Sequence, residues 1–181
     1  MKEINIIDAR VYIITDYKNS LNNICGDWLY LIHYNSLQEF RTACEYLHTD
    51  EPYPVCLYFD YENIPDAYIS HHWISPDIFN IIRLAQQLCP QEQVIFSRWF
   101  NYQQPDLTTR TPESIFKAFQ FCMEGKYKSP LHFGYHIARE SLGINEKSYP
   151  CFDFTGYTEN LFKDMYLFID GYVFKNIRIN D

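Results

Sequence analysis

From Ala9 to Thr15 the chain is almost wholly apolar, with Val11, Tyr12, Ile13 and Ile14 in succession. Such β-branched and aromatic runs suit a pleated, half-buried strand. The polar segment Asp16 to Asn23 ends that run, and a second β-rich run spans Cys25 to His33. Gly26 stands where a bulge or a tight bend is expected. The apolar period then lengthens: Phe40, Ala43, Cys44 and Leu47 fall on one stripe at helical spacing, which predicts a helix ending near His48. Ser36 and Glu39 supply a capping box at its start. Val55 to Asp60 reads as a third strand that completes a small β-β-α-β unit, with the helix packed on one sheet face.

Ser75-Pro76-Asp77 predicts another helix, with a capping serine, a proline at the first position and an acid in the positive first turn. Its apolar face runs through Ile78, Phe79, Ile81, Ile82, Ala85 and Leu88, and Pro90 closes it. Val94, Ile95, Trp99 and Phe100 favour a further helix between Gln91 and Tyr102, whereas residues 101–111 are polar and loop-like. Thr111-Pro112 and Ser129-Pro130 begin two more helices, Gly143 supplies a stop, and Thr155 to Asp164 reads as the last. Asp170-Gly171 between Tyr166–Ile169 and Tyr172–Lys175 is a strong hairpin signal. The fold class expected is α+β and elongated. A small antiparallel sheet plus helix fills 1–70, a short helical middle lobe 71–105, and an α+β lobe ending in a β-hairpin 106–181.

Charge changes the picture. Between Glu39 and Asp77 stand eight acids (Glu39, Glu45, Asp50, Glu51, Asp60, Glu62, Asp66, Asp77) and one base, Arg41, so this stretch carries 1 − 8 = −7 of a net −8. With a pI near 5.2 the chain is a poor ligand for phosphate backbones, which are held by Lys and Arg. Basic partners fit it better. Sixteen Tyr and fourteen Phe exceed what a small core needs, so several tyrosines should sit at the surface with the hydroxyl in water. The six cysteines form no C-x-x-C pair, the N-terminus lacks a leader-like apolar run, and no apolar stretch is long enough to span a membrane. A reduced, cytoplasmic protein is expected.

Tyr46-Leu47-His48, Asp50-Glu51-Pro52-Tyr53-Pro54, Phe59 to Pro65, and Trp73 with Ser75 together resemble segments of the ArdA family of antirestriction proteins. Ala9 to Ile13 with Gly26 to Leu29 resembles the family's opening strands, and Phe152-Asp153-Phe154 through Asp170 to Phe174 its C-terminal signature. The similarity covers most of the chain in order and is loose between 91 and 150. It implies a bacterial protein of mobile genetic elements, a homodimer whose carboxylates imitate DNA phosphates. Such a DNA mimic occupies the DNA groove of a type I restriction-modification enzyme, at its methyltransferase core, with no cofactor, no catalysis and no direct nucleic-acid contact. The carboxylates that would do this are Glu45, Asp50, Glu51, Asp60, Glu62, Asp66 and Asp77, with a second set at Asp153, Glu159 and Asp164.

Two other readings compete. One keeps the scaffold but uses exposed tyrosines and the acidic face to hold a different basic protein. The other is a metal-dependent enzyme, for which His132, His136 and Glu140, or Cys44 with His48, have helical spacing. Neither pair is H-E-x-x-H, and no G-x-S-x-G or P-loop occurs.

Overall fold

The apolar run at the start of the chain becomes β1 (Arg10–Thr15), the middle strand of an antiparallel sheet in the order β2-β1-β3, with β2 at Asp27–Tyr30 and β3 at Cys56–Glu62. This computed structural model describes residues 4–145 and 147–177. Among them seven helices and three small antiparallel sheets give an α+β protein. The chain divides into two compact units, Met1–Phe116 and Lys117–Asp181. The helices expected as a middle lobe belong to the first.

In the first unit β1 is bonded on both sides, so its inner residues Val11, Ile13 and Ile14 are fully buried. Its register with β3 slips between Tyr12 and Ile13, where Asp60 and Tyr58 are the partners and Phe59 is the extra residue of a bulge. Gly26 allows close approach of two backbones, because a Cβ there would fall on the Ile13 carbonyl oxygen. The polar segment after β1 forms a short helix, α1 (Asp16–Ser20), whose first turn is capped by the Thr15 hydroxyl.

The second helix, α2 (Leu37–Leu47), covers one sheet face through Phe40, whose ring meets Tyr58 at 5.8 Å and Phe79 at 5.7 Å. Burying that ring contributes about 1.5–3 kcal/mol. The expected capping box is half formed. Ser36 Oγ accepts from Glu39 N at 3.2 Å, but the Glu39 carboxylate reaches back one residue further, to Asn35 N at 2.8 Å.

A two-residue hairpin, β4 (Ile69–Ser70) with β5 (Trp73–Ile74), precedes α3 (Asp77–Ala85) and α4 (Pro90–Gln103). Ser75 does not cap α3 through its side chain. Pro76 already has helical dihedrals, so the Ser75 carbonyl accepts from Ile78 N at 3.2 Å instead. Pro90 opens α4 rather than closing α3, since its missing N–H costs nothing at a first helical position. Ile95, Phe96, Trp99 and Phe100 give α4 its buried face, and Ser97 Oγ ties it to the amino end by accepting from Ile6 N at 3.0 Å.

The fifth helix, α5 (Pro112–Cys122), spans the boundary between the units. In the second unit a sheet of order β6-β8-β7 joins Met123–Lys126, Tyr172–Lys175 and Tyr166–Ile169. Strand β6 has no sequence signal: Met-Glu-Gly-Lys is neither β-branched nor aromatic, and it pairs because β8 offers an edge. Asp170 and Gly171 have φ of 47° and 85°, the two left-handed residues of a tight hairpin turn. Helices α6 (Pro130–Leu142) and α7 (Phe154–Asp164) pack together, with the Phe133 ring 5.7 Å from Phe162 and 4.7 Å from Tyr166.

Candidate acidic binding face

Side chains two apart on a strand share a face, and the register sets six of them together on the outer side of the first sheet. Arg10 lies between Tyr30 and Glu62, and Tyr12 between Trp28 and Asp60. The Arg10 guanidinium is 4.6 Å over the Trp28 ring, donates to Tyr30 Oη at 2.8 Å and pairs with Glu62 at 2.7 Å. That ion pair, led by the hydrogen bond to Glu62, raises the Arg10 pKa further above its ordinary value. Glu62 is therefore neutralised by a neighbour, while Asp60 beside it stays exposed.

The strand continues through Asn63 to the single turn Asp66–Tyr68. Asp66 is exposed and accepts from Tyr61 Oη at 3.0 Å, a bond that fixes one carboxylate oxygen and leaves the group facing water. The structure thus sets Asp60 and Glu62 on one sheet face, while Asp66, in the turn that follows, is held by Tyr61 from the alternate face.

Asp50 and Glu51 have a different environment. Both surround Lys18 of α1, whose side chain is only 13% exposed: Nζ lies 3.0 Å from Asp50 and 4.0 Å from Glu51. Glu51 is itself 11% exposed and accepts from the Thr15 hydroxyl at 2.5 Å. Its carboxylate faces inward, so Glu51 supports the fold and does not present charge to a partner. Lys18, led by its hydrogen bond, holds the Asp50 carboxyl below its ordinary range. Lys18 Nζ also donates to Nδ1 of the buried His48 at 3.0 Å, which leaves the imidazole proton on Nε2. Burial pushes His48 below its ordinary pKa, and the charge on Lys18 adds to that.

Glu45 is exposed on α2 and lines a groove of about 760 Å³ with Thr42, Tyr46, Tyr53, Pro54 and Val55. Asp77, half-buried at the start of α3, lines a separate groove of about 480 Å³ with Trp73 and Asp106. Asp106 is an acid the sequence reading did not single out. Its carboxylate accepts from the Thr108 hydroxyl at 2.6 Å and the Thr108 N–H at 2.8 Å, and these bonds lower its pKa. In the second unit Asp153 caps α7 through Gly156 N at 2.9 Å, Glu159 is exposed along that helix, and Asp164 is exposed at its end.

The residues considered for a metal have other roles here. His132 and His136 pack against the Tyr127 ring at 5.9 and 5.7 Å, and Glu140 pairs with Arg139 at 3.0 Å. Among the described residues no three His, Cys, Asp or Glu side chains converge on one point. No helix among them is long and apolar enough to cross a membrane. No protein-family model matches the chain, and no curated protein does.

Sequence reasoning missed Arg10 and Lys18 as the cations that neutralise predicted site residues. It also missed the outward-facing aromatics Tyr12, Trp28 and Tyr30. Alternation along β1 marks Arg10 and Tyr12 as outward-facing, but their neighbours depend on the pairing of β2 and β3. What the arrangement offers is a sheet edge that carries one exposed carboxylate, Asp60, and one neutralised, Glu62, beside large aromatic rings. A surface of that kind suits a basic protein groove.

Proposed function

We propose that the outer face around β3 is a phosphate surrogate, and that the chain is an antirestriction protein which competes with DNA for the basic groove of a type I restriction-modification enzyme. The observation that supports this reading is the exposure of Asp60 and Asp66 on a hydrogen-bonded strand and the turn that follows it. Arg10 neutralises Glu62, so Asp60 and Asp66 are the carboxylates there that are left to meet a partner. A groove that releases counterions to grip phosphates gains in the same way from exposed carboxylates. No bond is made or broken, so the protein acts stoichiometrically. The homodimer implied by the family resemblance belongs to the same proposal, and sedimentation of the purified chain checks it.

The test replaces Asp60 and Asp66 together by Lys and leaves Glu62 in place to hold Arg10. Displacement of labelled DNA from a purified type I methyltransferase core is expected to weaken at least about tenfold, with an unchanged circular dichroism spectrum. Wild-type potency in a folded double variant contradicts the proposal.

A second reading is favoured by the groove at Glu45, where Tyr46 and Tyr53 are 75% and 91% exposed. Two tyrosines this open, flanking an acid, suit a basic protein held by ring contacts as well as by charge. Binding there survives about 1 M salt, at which charge alone is screened within about 3 Å.

A further inference from the structure

Cys44 and Cys56 are twelve residues apart in sequence and face each other in the fold. The contact between Phe40 and Tyr58 fixes how α2 lies on β3. One turn along α2, about 6.0 Å, leads from Phe40 to Cys44. Two residues back along β3, about 6.6 Å, leads from Tyr58 to Cys56 on the same sheet face. The steps match, and the two thiols meet, with Cys44 S–H donating to Cys56 Sγ. Both are free thiols; Cys44 is 1% exposed and Cys56 half-buried.

We propose that Cys56 and Cys44 form a redox-active dithiol, with Cys56 as the attacking thiol and Cys44 as the resolving one, taking low-molecular-weight disulfides of the glutathione class as oxidant. Cys56 gives its proton to solvent and its sulfur attacks one sulfur of the disulfide. A Cys56 mixed disulfide forms, and the first thiolate leaves and is protonated. Cys44 then attacks Cys56 Sγ, expelling the second thiolate, which takes up the Cys44 proton. Two protein thiols and one disulfide become one protein disulfide and two small thiols.

The asymmetry fits these roles. Cys56 is the less deeply buried of the two, and it is favoured as thiolate by the hydrogen bond from Cys44, which lowers its pKa. The buried sulfur, kept protonated by that bond and by burial, reacts only with what Cys56 brings to it. The loop closed by the bond, residues 45–55, carries Glu45, Asp50, Glu51 and both groove tyrosines, so oxidation would staple the rim of the acidic region.

To test it, the reduced full-length chain is equilibrated with glutathione and its disulfide over a range of ratios, quenched with acid and alkylator, and mapped by peptide mass spectrometry. A Cys44–Cys56 linkage that dithiothreitol reverses is expected, and it should form at ratios where the exposed Cys25, Cys89 and Cys151 are still mostly thiols. The Cys44→Ser variant should instead accumulate the glutathione adduct on Cys56. A wild-type protein in which Cys56 stays glutathionylated, or in which Cys44 and Cys56 remain thiols while the exposed cysteines react, overturns the proposal. The wild-type map decides even if Cys44→Ser does not fold.

Discussion

Arg10 donates to a single oxygen of Glu62 from two of its nitrogens, Nε at 2.9 Å and Nη2 at 2.7 Å. The pair fastens β1 to β3 on the outer face and places one cation in the middle of a surface otherwise suited to a basic partner. Arg10→Gln therefore separates two roles. It releases the Glu62 carboxylate and makes the face more negative, so displacement of DNA at low salt should improve roughly three- to five-fold. The same change removes the stacking on Trp28, so the melting temperature should fall. Competition binding and thermal melts of the same preparation check both.

His48 gives the stability a pH dependence whose sign is fixed by its surroundings. Its folded pKa lies below the unfolded value of about 6.5, so the unfolded chain binds the extra proton first. Its contribution is fully present above about pH 6.5 and is lost as pH falls through that value toward the folded pKa. Asp50, also held low by Lys18, adds a separate loss at a more acidic pH, from about 3.9 downward. Urea midpoints measured from pH 7.5 to 5 should decline in the wild type and flatten in His48→Gln.

Gly134 tests the second unit alone. A Cβ there would overlap Thr158 Oγ1 and lie 3.0 Å from Thr158 Cβ and 3.2 Å from its Cγ2. Thr158 cannot easily turn away, because it is buried and its hydroxyl donates to the Phe154 carbonyl at 2.7 Å. Overpacking costs about 1–3 kcal/mol, against about 1 kcal/mol gained by replacing a mid-helix glycine. Gly134→Ala should lose up to about 2 kcal/mol in denaturant unfolding, and adding Thr158→Ala should recover part of it.

Local features were the legible ones. The stripe through Phe40 and Cys44, the caps at Ser36, Thr111 and Ser129, the stop at Gly143 and the Asp170-Gly171 turn all formed, because each rests on residues a few positions apart. The acids were legible as residues but not as surface. Glu62 meets Arg10 across 52 positions and Asp50 meets Lys18 across 32, so which carboxylates are neutralised depends on tertiary pairing. The same holds for Cys44 and Cys56, unremarkable as a sequence pair until helix and strand are superposed. Strand β6 was illegible for another reason: its sequence carries no β preference, and its edge partner imposes the conformation.

The most direct test of the central claim is a titration of this chain into a purified type I methyltransferase core holding labelled DNA, at low and at high salt. Mimicry by the exposed Asp60 and Asp66 predicts displacement at near-stoichiometric amounts that weakens steeply as salt rises. No displacement at low salt, or displacement indifferent to salt, would contradict it.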